Sequence, residues 1–180
     1  ELEESVGSLQ NNLRDLSTLS QSHWILPKNV HLTLRFFEEI DERQAEAAGS
    51  ALAAAAAMVK PFELHFDRLG TFPSLKKPNV FWVGLKKTPE MLSNLAGAIS
   101  EAFLMSGFPS EERTFHPHLT LARRRVKGVA PPGLEGDLEA AEGRWLKAPI
   151  VLSVTEAVLF QSELTPEGAN HTPLHRAAIG

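Results

Sequence analysis

One tetrapeptide occurs twice in this chain. His31-Leu32-Thr33-Leu34 returns as His118-Leu119-Thr120-Leu121. On a β-strand successive side chains point to opposite faces. In each copy the imidazole and the hydroxyl then share one face while both leucines take the other. Such a strand suits a sheet with one face buried in a core and the other lining a polar cleft. Two of these strands supply two imidazoles and two hydroxyls. Imidazole exchanges a proton near neutral pH, so the set is equipped for acid/base chemistry on a phosphate.

Composition limits the alternatives. A chain of 180 residues with 43% hydrophobic content builds one compact domain, or two small lobes, and is not a disordered polymer. A net charge of -4 argues against a general nucleic-acid coat protein but leaves room for a local basic cleft. The absence of cysteine removes disulfides, thiolate metal sites and a cysteine nucleophile. The longest apolar run, 52–59, is mostly alanine and too short to span a bilayer. The expectation is a cytoplasmic monomer with no membrane partner.

Periodicity gives a coarse map. Leu2, Val6, Leu9, Leu13 and Leu16 recur at helical spacing, predicting a helix over 2–17. Residues 20–29 read as loop and 30–36 as the first motif strand. Asp41 is placed to cap a helix running to Val59, which Pro61 stops. Phe62, Leu64 and Phe66 alternate as a strand, 70–79 reads as an exposed loop, and 80–85 as a strand. Thr88-Pro89-Glu90 has the form of a helix start with a capping hydroxyl, and Gly107 of its stop. The second motif strand covers 118–123. The stretch 130–143, rich in proline and glycine, reads as loop with at most a short helix. A long strand over 150–160, a turn over 165–170 and a closing strand over 172–179 complete the map. Irregular alternation with short connections predicts α+β with antiparallel sheets. The weak repeat fits two similar lobes related by a pseudo-twofold, with the motifs meeting in a central cleft. No glycine-rich phosphate loop follows any strand.

Phosphodiester hydrolysis needs a base to take a proton from water and an acid to protonate the leaving oxygen, and histidine serves for either. His31 and His118 are the candidates, on opposite sides of phosphorus. Thr33 and Thr120 are placed to hold the non-bridging oxygens. No Asp/Glu cluster adjoins either motif, so no metal or other cofactor is expected. His116, two residues before His118, shares its strand parity and is a candidate substrate contact. Arg35 has the parity of His31. Arg123 has the opposite parity to His118 and reaches the same face only if the strand ends or bulges. Phe72, Phe115 and Trp24 could stack on a base, although core packing is the better use for each. Arg124, Arg125, Lys76 and Lys77 could form a positive rim. His23, His65, His171 and His175 read as surface or structural residues.

These residues resemble a known family. The two motifs, the run Leu26-Pro27-Lys28-Asn29-Val30 before the first, and Phe115-His116-Pro117 before the second resemble the 2H phosphoesterases. Gly70-Thr71-Phe72-Pro73, Val80-Phe81-Trp82-Val83-Gly84 and Leu159-Phe160-Gln161-Ser162-Glu163-Leu164 are similar to further segments of the RNA 2',3'-cyclic phosphodiesterases, also described as 2'-5' RNA ligases. The resemblance implies a single bilobal domain of two intertwined lobes over 1–180. It implies hydrolysis of a terminal 2',3'-cyclic phosphate on RNA or tRNA fragments to a 2'-phosphate, and the reverse joining of tRNA halves. It implies His31 as proton donor to the leaving 3' oxygen and His118 as the base that activates water. Family members usually open with an apolar strand, whereas this sequence starts at its first helix. Two other functions stay open on the residues alone: a phosphodiesterase for small cyclic nucleotides, and a non-catalytic module that holds a nucleotide or RNA end.

Overall fold

A computed structural model describes residues 1–165 and 168–180. The described residues are α+β, with four α-helices and antiparallel sheets. They cluster into two compact units, each assembled from three separate segments.

The first unit comprises Glu1–Thr33, Leu64–Lys87 and His116–Leu152. Helix α1 (Leu2–Arg14) buries Val6, Leu9 and Leu13, the stripe predicted from spacing, and ends three residues earlier than expected. Strand β1 (Ser22–Trp24) follows, inside a stretch read from sequence as loop. Three residues are too few to show alternation; the strand exists because His118–Arg124 (β5) offers it a partner. Strands β3 (Arg68–Ser74), β4 (Lys77–Gly84) and β5 (His118–Arg124) complete a sheet in the order β1-β5-β4-β3. Leu69, Phe81, Val83, Leu119 and Leu121 are buried in it.

The exposed loop expected over 70–79 is instead most of a hairpin. Its prolines misled the reading. Pro73 lies on β3, the sheet's edge strand, where one lost ladder hydrogen bond is tolerated. Pro73 and Pro78 face each other near the turn, beyond the part of β4 that pairs with β5. The loop expected over 130–143 is likewise overturned: α4 spans Leu134–Trp145. Its breakers stand mainly in front of it. Gly133, at φ 87, turns the chain into the helix, a conformation that suits glycine. Leu134, Leu138 and Ala141 form the buried stripe. Glu142 fixes α4 to the sheet by accepting from the Leu69 amide at 2.9 Å and pairing with Lys86 at 3.2 Å.

The second unit comprises Leu34–Glu63, Thr88–Phe115 and Ser153–Gly180. Helix α2 (Glu42–Ala56) starts at a capping box: Asp41 accepts from the Gln44 amide and Gln44 accepts from the Asp41 amide. Helix α3 (Glu90–Met105) starts after Pro89, which holds the cap position with no side-chain hydrogen bond, so Thr88 is not the cap. Gly107, at φ 88, ends it as expected. Both helices pack together, and α2 also packs on an antiparallel ribbon of β7 (Glu156–Thr165) and β8 (Gly168–Ala178). Phe37, Phe103 and Phe108 form an aromatic cluster with centroids 5.0 to 5.8 Å apart. The predicted strand over 150–160 divides at Thr155. Its first part, β6 (Ile150–Val154), pairs with β2 (Phe62–Phe66), and its second part is β7. The predicted turn over 165–170 includes 166 and 167, which lie outside the described residues; the closing strand is β8.

Candidate active site

All the motif histidines and threonines belong to the first unit. The second motif lies on β5 as predicted, with Leu119 and Leu121 fully buried and His118 and Thr120 partly exposed. The first motif is not a strand. Its one ladder contact is an antiparallel bridge between Leu32 and Leu119, and after Thr33 the chain leaves for the second unit. That departure ends the pairing the alternation called for. The bridge nevertheless fixes the register: in an antiparallel pair it sets His31 level with Thr120 and Thr33 level with His118. The four polar groups of the repeated motif therefore form two adjacent His/Thr pairs.

The segment between β1 and this bridge contains a 3₁₀ turn at Pro27–Asn29. Gln10 of α1 braces the ladder there. Its amide nitrogen donates to the carbonyls of Ile25 at 2.8 Å and Leu121 at 3.0 Å. Gln10 is 1% exposed, a polar residue set into the apolar stripe of its helix. That departure from the stripe is the sequence signal by which its role could have been found.

Both imidazoles are held in the same way. Nδ1 of His31 donates to the Asn29 carbonyl at 2.8 Å, and Nδ1 of His118 donates to the His116 carbonyl at 2.6 Å. A carbonyl only accepts, so each Nδ1 keeps its hydrogen and Nε2 is the nitrogen that takes up or releases a proton. Burial holds the His118 pKa below 6.5; the nearby charges of His116, Arg123 and His31 act in the same direction, and the His116 carbonyl opposes them. His118 is thus a neutral acceptor at neutral pH.

Aromatic rings provide that burial. Phe72 meets His118 edge-on at 4.8 Å between centroids, and Trp82 lies 6.2 Å from the imidazole and 5.2 Å from Phe72. Trp82 faces Thr120 across the ladder, with Gly70 on its other side. The indole lies so close over the sheet that a Cβ on Gly70 would meet it at 2.2 Å, and one on Gly84 at 2.8 Å. Two glycines thus make room for the ring that packs beside His118. Sequence reasoning gave Trp82 no role. Gly84, two residues along the same strand and hence on the same face, was the available sign.

Other candidates divide. A register shift sits opposite Phe81 and Trp82: Ala122 pairs with Phe81 and Thr120 with Trp82, leaving Leu121 as the extra residue. The bulge satisfies the parity condition for Arg123, which joins the face of His118 and Thr120, consistent with its charge acting on His118. His116 lies 6.1 Å from Phe72 and supplies the carbonyl that orients His118. Arg35 has contacts within its own unit. It belongs to the second unit, where its guanidinium donates to the Pro109 carbonyl and lies over Phe37.

The arrangement agrees with what the chain is similar to. The 2'-5' RNA ligase superfamily pattern matches residues 5–165. A Methanothermobacter thermautotrophicus protein named RNA 2',3'-cyclic phosphodiesterase is 30% identical over 177 residues, covering 96% of this chain and 90% of that protein. Proteins of the same name from Geobacillus stearothermophilus and Aquifex aeolicus are each 35% identical, over 84% and 56% of this chain. Those two matches span about half of the relatives' length, 46% and 54%. Among solved structures, E. coli LigT complexed with 3'-AMP superposes with a TM-score of 0.71 at 24% identity, covering 98% of this chain and 92% of that one. A Thermus thermophilus protein reaches 0.76 at 22% identity with the same coverage, and both likenesses concern the fold. With paired His/Thr motifs on one sheet face and a family match over most of its length, the chain belongs to the 2'-5' RNA ligase superfamily, the 2H phosphoesterases.

Proposed function

We propose that this protein hydrolyses the 2',3'-cyclic phosphate at the end of an RNA to a 2'-phosphomonoester, without a metal ion, by paired-histidine acid/base catalysis. The observation that carries the reading is the pair of imidazoles, each locked by a carbonyl two residues back, with a threonine level with each. The relatives' shared name supplies the substrate class.

Water attacks phosphorus while Nε2 of His118, neutral because it is buried, takes its proton. The bond from phosphorus to the 3' oxygen breaks, and Nε2–H of His31 protonates that oxygen. One proton is removed and one delivered, leaving a 2'-phosphate and a free 3'-hydroxyl. The Thr33 and Thr120 hydroxyls donate to the non-bridging oxygens, where charge grows in the transition state. Arg123 adds positive charge on the same face. Phe72 and Trp82 exclude water from one side of His118, so the base keeps its lone pair at neutral pH. With the 5'-hydroxyl of a second RNA in place of water, the same geometry joins two ends through a 2'-5' linkage.

The test is incubation of RNA ending in a cyclic phosphate with the protein and a chelator. A 2'-phosphate product supports the proposal. A 3'-phosphate product, or activity only with added metal, refutes it. Comparison with a mononucleoside cyclic phosphate separates an RNA enzyme from one that acts on small cyclic nucleotides.

A further inference from the structure

Beside the last paired residues of β1 and β5 lies a pocket of about 440 Å³ whose lining includes Arg14, Ser22, His23, Trp24 and Arg125. It gathers two arginines and a histidine, with no acidic residue in its lining, in a chain whose net charge is -4. The Arg14 guanidinium lies over the Trp24 ring, 5.3 Å from its centroid, so charge and a flat aromatic surface are presented together. The Arg125 amide donates to the Gln21 carbonyl at 2.9 Å, which anchors that arginine at the end of β1. Neither arginine has an acidic partner among the described residues. Ser22 is 7% exposed, and its hydroxyl is buried with no hydrogen-bond partner among the described residues. A buried hydroxyl in that state points to a group from outside that completes it.

The pocket lies at the β1 edge of the active-site sheet: His23 shares the face of Arg123, while Ser22 and Trp24, paired with Arg124 and Ala122, lie on the opposite face, so an RNA strand reaching them rounds that edge. His23 pairs with Arg123 across β1 and β5, and the bulge at Leu121 turns Arg123 onto the face of His118. Cationic or cation-capable groups therefore follow β5 from His118 through Arg123 and His23 to Arg125. Seven residues of strand cover about 20 Å, a distance that several nucleotides of single-stranded RNA bridge.

We propose that this pocket is a docking subsite for the body of the RNA substrate. Arg14 and Arg125 bind backbone phosphates, a base stacks on the Arg14–Trp24 pair, and the Ser22 hydroxyl donates to a phosphate oxygen. Guanidinium suits phosphate because its fixed fork of donors matches two oxygens, and single-strand grooves elsewhere combine such charge with stacking platforms. The inference rests on the proposed cyclic phosphodiesterase reading and deepens it: the enzyme recognises a strand, not only a terminal nucleotide.

The test uses a labelled single-stranded RNA of about ten nucleotides, within the range such grooves occupy, ending in a 2'-phosphate. Fluorescence anisotropy measures its binding to the wild type, to Arg14→Gln/Arg125→Gln, and to Arg14→Lys/Arg125→Lys. The Gln pair is expected to bind about tenfold or more weakly at low salt, with the slope of log K against log salt reduced by about 1.4, the loss of two phosphate contacts. The Lys pair keeps most of the slope. The preference in kcat/KM for cyclic-phosphate RNA over a mononucleoside cyclic phosphate falls in step with binding. Trp24→Leu weakens the RNA without changing the slope. Unchanged affinity and slope in the Gln pair would overturn the subsite. So would equal losses of kcat/KM on both substrates, which mark a structural effect, or binding of inorganic phosphate at the pocket as tight as that of the RNA. A wild type that binds this RNA through the two arginines but hydrolyses no cyclic phosphate rejects the catalytic reading and keeps the subsite.

Discussion

Replacing Gly70 with alanine tests whether the indole beside His118 has to sit where it does. The added Cβ would lie 2.2 Å from Cζ2 and 2.3 Å from Cη2 of Trp82. Carbon atoms in contact stay about 3.5 Å apart, so the ring has to move by about 1 Å. It is confined on the active-site side by Phe72 at 5.2 Å and His118 at 6.2 Å. Overpacking of this kind costs about 1 to 3 kcal/mol. For a chain of this size that lowers Tm by roughly 2 to 12 °C. The larger consequence falls on the chemistry. A catalytic group shifted by about 1 Å loses on the order of 10²-fold in rate. Gly70→Ala should therefore reduce kcat/KM on cyclic-phosphate RNA by about 10- to 100-fold while the protein remains folded at 25 °C. Thermal denaturation and steady-state kinetics measure the two effects. Adding Trp82→Leu, which removes the ring the methyl strikes, should restore much of the lost Tm but not the rate. Wild-type Tm and kcat/KM in the single variant would refute the claim that Gly70 exists to let the indole pack beside His118.

Losing the base should be severe: His118→Ala lowers kcat by at least about 10²-fold, read by product formation under saturating substrate. The pH profile follows from the direction of the His118 shift. The base works only when neutral, so the acidic limb of kcat/KM should lie below pH 6.5, and Phe72→Ala, which opens the imidazole to water, should move it upward. Stability carries the same sign. Below pH 6.5 the unfolded chain takes up a proton that folded His118 resists, so this group makes stability fall as pH drops through that window, and denaturant titration of His118→Gln should show a smaller fall. Gln10→Leu leaves the Ile25 and Leu121 carbonyls without its donor; chemical denaturation should show a loss of about 1 to 3 kcal/mol.

The sequence carried the parts that local chemistry dictates. The α1 stripe, the cap at Asp41, the stop at Gly107 and the second motif strand are all found. So is the α+β class with antiparallel sheets. The failures share a cause: tertiary partners overrode local signals. Strand β1 exists by pairing with β5, the β3–β4 hairpin accommodates its prolines at an edge and a turn, and α4 begins just behind the residues that suggested a loop. The first motif shows the opposite error, since alternation predicted a strand where the chain keeps one bridge before leaving the unit. At the site, motif spacing pointed to His31, Thr33, His118 and Thr120, which the bridge at Leu32 and Leu119 sets side by side as two pairs. It could not show the bulge that recruits Arg123 or the glycines that accommodate Trp82, because both depend on cross-strand register.

The central claim is that His31 and His118 act on one phosphorus atom in one step. Its most direct measurement is a double-mutant cycle: kcat/KM on cyclic-phosphate RNA for His31→Ala, His118→Ala and the pair together. Groups that work as a unit are strongly non-additive. The account predicts that the double variant is about as slow as the slower single variant. A double variant slowed by the full product of the two single losses would contradict it, because each imidazole would then contribute independently of the other.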